Sequence, residues 1–177
     1  YLGENSPPLP LLSNYKNGFK VGGVKMILDG SPQGKTAYLT QPYKIPPKGG
    51  AHDYRGYPIM PAESVDALFA KFLGAGLPIL AHANGDAAAD LFVNALNRSI
   101  DMSSIPDHRT VMIHAQTVRE DQLDIMAEMK AIPSFFSAHT FYWGDWHRDS
   151  VFGEERASRI SPTQSSLDKG IVFTVHN

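Results

Sequence analysis

Short apolar runs alternate along the chain with longer stretches in which apolar residues recur every three or four positions. The short runs are Gly23-Val24-Lys25-Met26-Ile27-Leu28, Leu77–Ala81, Thr110–Ile113, Ile132–Ala138 and Ile171–Val175, and their length and β-branched content predict strands. Between them, Val65, Leu68, Phe69 and Phe72 share one face of a helix that begins near Pro61-Ala62-Glu63 and stops at Gly74-Ala75-Gly76. A second helix starts after Asp86 and runs through Leu91, Phe92, Ala95 and Leu96, a third spans about 119–130, and a helical region covers 152–169. Five strands joined by four helical or loop-rich connections predict an α/β fold with parallel pairing. The rhythm is that of part of a (β/α)8 barrel, and five units are too few to close one. Residues 1–177 are therefore expected to form one partial barrel domain, with about three units elsewhere, on the N-terminal side. The opening without Met and the end right after a strand read the same way, as a piece of something longer.

Two segments depart from the rhythm. Residues 1–20, rich in Gly, Pro, Asn and Ser, read as loop with a short helix, and the Pro- and Tyr-rich excursion at 30–60 reads as a lid or substrate wall.

Histidine closes one apolar run after another: His82 in LPILAHANGD, His114 in RTVMIHAQ, His139 in SFFSAHT and His176 in GIVFTVHN. In a parallel barrel the C-terminal strand ends form the active-site face, and neutral imidazole is a common metal ligand. Residues of one parity share a face of a strand. With Val24, Met26 and Leu28 packed under the helices, Lys25, Ile27 and Asp29 face the barrel interior. Likewise Ile79 and Ala81 are outward with Leu80 and His82 inward, Val111 and Ile113 outward with Met112 and His114 inward, and Phe173 and Val175 outward with Thr174 and His176 inward. Lys25, His82, His114 and His176 are thus expected together.

Composition narrows the chemistry. The chain has 42% hydrophobic and 19% charged residues, as a globular protein has, and a net charge of -2 offers no polybasic surface for nucleic acid. No apolar run approaches a membrane span. The compartment is left open. Cysteine is absent, so disulfides and thiolate ligands are excluded and any metal is held by His, carboxylate or a modified Lys. The partner expected is a small-molecule substrate, with the rest of the same protein or a homo-oligomer completing the barrel.

The candidate site residues follow. A buried lysine is neutral, paired or modified, and beside metal ions the Lys25 amine can capture carbon dioxide to give a bridging carbamate. The alternative is pairing with Asp29 or snorkelling to the rim. His82 and His114 are metal ligands, against the alternative of hydrogen-bonded core histidines. Gly85 is expected to allow a tight turn after His82, and Asp86 to cap the next helix and orient its neighbours. His139 is a substrate contact or a ligand, and His147 a pocket wall in an aromatic loop. His52 and His108 are expected to be solvated. Phe141, Tyr142, Trp143 and Trp146 either pack the loop or shape an apolar pocket.

Taken in order, Val24-Lys25 with Asp29-Gly30-Ser31, Thr36-Ala37, His82-Ala83-Asn84-Gly85-Asp86, His114-Ala115-Gln116, His139-Thr140 and Trp143-Gly144-Asp145-Trp146-His147 resemble amidohydrolase family 3 of the amidohydrolase superfamily. This branch includes N-substituted formamide deformylase-like and exoenzyme-regulatory-type proteins, and the resemblance runs over nearly the whole chain. It implies a metal-dependent hydrolase barrel, here its strands four to eight, with a small β-sandwich built from the ends of the parent chain. It also implies that Lys25, often carboxylated in the family, matches the fourth-strand lysine, His82 the fifth-strand and His114 the sixth-strand histidine. The family's first-strand His-x-His does not occur in this sequence, and its eighth-strand aspartate is expected just beyond Asn177. The function expected of the parent is hydrolysis of an amide-like, non-peptide carbon–nitrogen bond by a metal-bound hydroxide. One or two divalent ions, zinc in the first place, would be held by Lys25, His82 and His114. His139 and Lys25 act at the reaction, and Asp29, Asp86, Trp143, His147 and His176 surround it. The rivals are an esterase, lactonase or phosphoesterase using the same chemistry, and a non-catalytic regulatory or binding barrel. The segment alone is expected to be inactive.

Overall fold

The computed structural model describes residues 15–100 and 107–177. Most of the loop expected over residues 1–20 lies outside the described residues. In chain order the elements are β1 (Val24–Ile27), α1 (Ala62–Gly74), β2 (Ile79–Ala83), α2 (Asp86–Ser99), β3 (Val111–His114), α3 (Glu120–Glu128), β4 (Ile132–Phe135) and α4 (Ala138–Trp146). A π-helical turn (His147–Val151), α5 (Glu154–Ala157), α6 (Thr163–Asp168) and β5 (Thr174–Val175) follow. The strands form one five-stranded parallel sheet in the order β1-β2-β3-β4-β5. An α/β succession with sequential strands adjacent and parallel is the arrangement of a partial (β/α)8 barrel.

Helices cover one face of the sheet. Val24, Met26 and Leu28 of the first unit, Ile79, Ala81 and Ala83 of β2, Met112 of β3 and Phe135 of β4 are buried there. Val65, Phe69, Phe72 and Leu73 of α1 and Phe92, Val93, Ala95 and Leu96 of α2 close over them. Phe69 meets Phe92 edge to face, with centroids 5.5 Å apart. Burying side chains of this size is worth about 1.5–3 kcal/mol each, so this apolar layer is what holds the sheet to the helices. On the opposite face Lys25 is exposed and Ile27, Leu80, Val111, Ile113 and Ile132 are only half-buried.

This corrects the parity expected for β3. Met112 is fully buried under the helices, while Val111 and Ile113 lie on the open face. The register pairs Met112 with Ala81 and Ile113 with His82, and paired residues of parallel strands share a face.

One further expectation changes. The aromatic segment is helical: Phe141, Tyr142, Trp143 and Trp146 lie on α4 and are exposed, Phe141 by 85%. The excursion at 30–60 has no helix or ladder strand, yet it is built. Ala37, Leu39 and Tyr43 form a second core with Val151, Phe152 and Ile160, and backbone bonds Lys44 N→Val151 O (2.8 Å) and Ile45 N→Ser150 O (3.1 Å) seam it to the π-helical turn. Among the described residues no helix is long and apolar enough to cross a membrane.

Candidate active site at the strand ends

Four histidines gather at the C-terminal ends of β2 to β5. The His82 and His114 rings meet edge to face at 4.7 Å, and His114 and His176 lie at 5.0 Å. His139 stacks parallel to His114 at 6.3 Å. Burial is the first cause that lowers all four imidazoles: His114 to about 3, with His82 and His176 adding positive repulsion, and His139 to about 4. His82 and His176 move in the same direction. Near neutral pH the cluster is therefore four uncharged imidazoles with lone pairs available.

His82 arrives by ordinary pleat alternation and is anchored behind. Its Nε2 lies 3.0 Å from the Gly30 carbonyl and 2.9 Å from Asn84 Nδ2. The carbonyl calls for a proton on Nε2 while the Asn84 amide can only donate towards the same atom, so Nε2 is the anchored nitrogen and Nδ1 takes part in neither contact.

His114 arrives differently. By register it stands beside Ala83 and Phe135, both buried under the helices. It escapes that face because it takes φ 75° and Ala115 takes φ 45°, two successive left-handed residues. Such conformations cost about 1–2 kcal/mol each outside glycine and collect at functional sites. The chain is held in this turn by Ala115 N→Ala83 O (3.1 Å) and Thr117 N→Asn84 O (3.1 Å). His114 Nδ1 then lies 3.1 Å from His176 Nε2, whose Nδ1 is 2.9 Å from Ser134 Oγ.

Asp29 organises the rim. It accepts backbone N–H groups from Tyr38 (3.0 Å), Asn84 (2.9 Å) and Gly85 (2.8 Å), and its Oδ1 lies 3.6 Å from His82 Nε2. Complete burial pushes this carboxyl up to about 7 although the three amides pull it down. It makes no pair with Lys25, so the pairing alternative fails. Lys25 instead stands on the open face, one strand from His82. Its side chain is exposed as a whole, yet enough neighbours crowd the amine to lower its pKa.

Gly85 stands at the N-cap of α2, where no side chain caps the helix, and both it and Asp86 serve the excursion. Gly85 has an extended φ of −79° and needs its missing Cβ for closeness: a Cβ there would stand 1.9 Å from the Tyr38 carbonyl. Asp86 is the first residue of α2, makes no cap bond, and instead accepts from the Thr40 amide and hydroxyl and from Arg119 at 3.5 Å. His147 is fully buried on the π-helical turn, not a wall of an open pocket. His108 is also buried, bonded to the Met129 carbonyl and the Thr110 amide, because β3 begins beneath it. His139 sits in the first turn of α4 rather than ending a strand, and Trp143 is exposed on that helix.

Ser134 and Gln116 were not anticipated. Gln116 is completely buried between His139 and His147. Its place in the His114-Ala115-Gln116 run was the one signal that pointed to it. Among the described residues no three His or carboxylate groups converge as a ready metal cage.

The amidohydrolase family model matches residues 4–177, almost the entire chain. The chain belongs to the amidohydrolase family. It is similar to the Bacillus subtilis protein YtcJ, which carries an amidohydrolase name, with 27% identity over 154 residues, covering 85% of this chain and 27% of that protein. Two solved structures of uncharacterized metal-dependent hydrolases are also similar. The Pyrococcus furiosus protein is 26% identical with a TM-score of 0.75, covering 94% of this chain and 33% of that one. The Pyrococcus horikoshii protein is 25% identical with a TM-score of 0.73, covering 94% and 32%. This amidohydrolase-family chain thus spans between about a quarter and a third of the length of the proteins it matches.

Proposed function

We propose that the protein to which this segment belongs is a metal-dependent hydrolase of an amide-like, non-peptide carbon–nitrogen bond. His82 and His114 would be two of its metal ligands. The observation that carries this reading is the anchoring of His82. A ring nitrogen held from behind, as Nε2 is between the Gly30 carbonyl and the Asn84 amide, is the support a metal-ligating histidine receives from its surroundings, and the other nitrogen, Nδ1, would ligate. His114 would be complementary: where its Nδ1–H donates to His176 and the His176 Nδ1–H to Ser134, its Nε2 would hold the lone pair. Uncharged nitrogen donors without thiolates suit zinc. The donor set therefore fits the ion in kind, and two imidazoles are fewer than a tetrahedral site requires.

A bound zinc ion supplies a water of pKa about 7 and polarises a carbonyl. The chain's own residues do the rest. Lys25, whose pKa is lowered by the neighbours around its amine, would take up carbon dioxide to form a carbamate whose oxygens would face the His82 and His114 side of the sheet. Asp29 fixes the β2 turn that aims His82, and His176 fixes the ring of His114. His139 meets the substrate. Family membership and the similarity to the two Pyrococcus metal-dependent hydrolases support the same reading.

Elemental analysis of the full-length protein, purified without chelator, tests it. Near-stoichiometric zinc or a similar divalent ion is expected, with most of it lost in His82→Ala and in His114→Ala. Metal content unchanged in both variants removes the proposal. Lys25→Ala should abolish hydrolysis, and short carboxylic acids with bicarbonate should restore part of it. Full activity in Lys25→Ala would reduce the lysine to a structural role.

A further inference from the structure

Behind His139 lies a buried polar relay to which neither the strand pattern nor the metal reading assigns a role. Gln116 Oε1 is 3.0 Å from His139 Nδ1, and Gln116 Nε2 is 3.5 Å from His147 Nδ1. Gln116 and His147 are completely buried. The two left-handed residues that swing His114 to the rim also deliver Gln116 to this spot, and its carbonyl is tied by Ser161 N (2.8 Å). The Phe136 ring stands against His139 at 3.9 Å, edge to face, which fixes the plane of the imidazole.

The two ends of a primary amide differ, and in the orientation the Gln116 amide takes here they set the proton placement. Oε1 only accepts, so the nitrogen it meets on His139 must carry hydrogen. Nε2 only donates, so the nitrogen it meets on His147 must be bare. His147 Nε2 then bears the hydrogen, and it has no partner within the described residues. We infer that Gln116, backed by His147, is a positioning residue that holds His139 in its Nδ1–H form, so that His139 Nε2 is presented to the substrate as a hydrogen-bond acceptor. His139 in this form reads a donor, such as the N–H of an amide-like group, and does not serve an oxyanion, which needs a donated hydrogen. The identification of the substrate side rests on the proposed hydrolase reading; the proton placement does not.

Long-range proton–nitrogen correlation spectroscopy of the histidine-labelled full-length protein tests this, with His139→Gln used to assign the resonances. Near neutral pH, His139 Nδ1 should appear protonated and Nε2 bare. In Gln116→Met the balance should move towards Nε2–H by roughly three- to tenfold, the worth of one neutral hydrogen bond. Gln116→Glu should keep His139 Nδ1–H, because a carboxylate still accepts, while His147 gains a proton on Nδ1. A wild-type His139 that carries its hydrogen on Nε2 overturns the inference, and so does a Gln116→Met spectrum that matches wild type. If Gln116→Met does not fold, the wild-type and Gln116→Glu spectra decide it. Metal loss in His82→Ala bears on the hydrolase reading and leaves this outcome untouched.

Discussion

β2 and β3 both deliver a histidine to the same cluster, and they do so by opposite means. His82 is placed by the pleat: its side of β2 is the open side, and a carbonyl of the neighbouring turn anchors its far nitrogen. His114 sits on the wrong side by register and is turned round by two left-handed residues. The first route costs nothing in backbone conformation. The second stores strain of about 1–2 kcal/mol per residue, held by the apolar layer beneath, and in exchange it brings Gln116 into the interior behind His139. A strained strand end thus places two side chains where a relaxed one places one.

The largest effect expected is at the rings themselves. His82→Ala and His114→Ala should each lower hydrolysis by the full-length protein by about a hundredfold or more, measured as kcat/KM alongside metal content. If the two differ greatly, the routes are not equivalent and one ring is only a neighbour of the other.

The turns separate the routes next. Ala115→Val puts a β-branched residue at φ 45° in a completely filled site, and should destabilise by about 3 kcal/mol in urea unfolding. Gly85→Ala should cost about as much for another reason, the collision of its Cβ with the Tyr38 carbonyl. Wild-type stability in Ala115→Val would show that the left-handed turn is not imposed by the fold.

Acid should strike the region behind His139 before it strikes the apolar layer. Burial lowers His147 from 6.5 to about 4. Its folded form therefore takes up a proton later than the unfolded chain does. The stability it supplies is present in full above pH 6.5 and is lost as pH falls towards 4, by up to about 3 kcal/mol. Asp29 acts in reverse. Its folded pKa of about 7 lies above the ordinary 3.8, so its contribution is complete at low pH and is lost as pH rises between those values. Unfolding of His147→Gln followed across this range should show a flatter acid limb than wild type; parallel curves would contradict it.

The smallest effect is the most diagnostic of strain. Ala115→Gly removes the left-handed penalty but adds chain entropy, so a gain of up to about 1 kcal/mol is expected. A clear loss instead would mean that the Ala115 methyl matters more as packing than its φ costs.

Much of this architecture is legible in the residues. Val65, Phe69 and Phe72 at helical spacing mark α1, and the short runs ending near His82 and His114 mark strands of a parallel sheet, because burial on one face imposes a period that survives in sequence. The aromatic stretch Phe141–Trp146 misleads: its apolar residues face solvent within the described structure, so no buried face betrays the helix. His147 and His108 mislead likewise, since a histidine gives no sign in sequence of whether a carbonyl or an amide waits for it.

The sequence by itself determined the alternation of strands and helices, the apolar layer, and the set of histidines from which a site is drawn. Those are consequences of composition and period, which are local. Only the tertiary structure decided that His114 turns against its own register, that Asp29 holds a loop rather than Lys25, and that Gln116 stands between His139 and His147. Each of these depends on backbone torsions and on partners from elements far apart in the chain, such as Asn84 beside Asp29, and no local pattern records them.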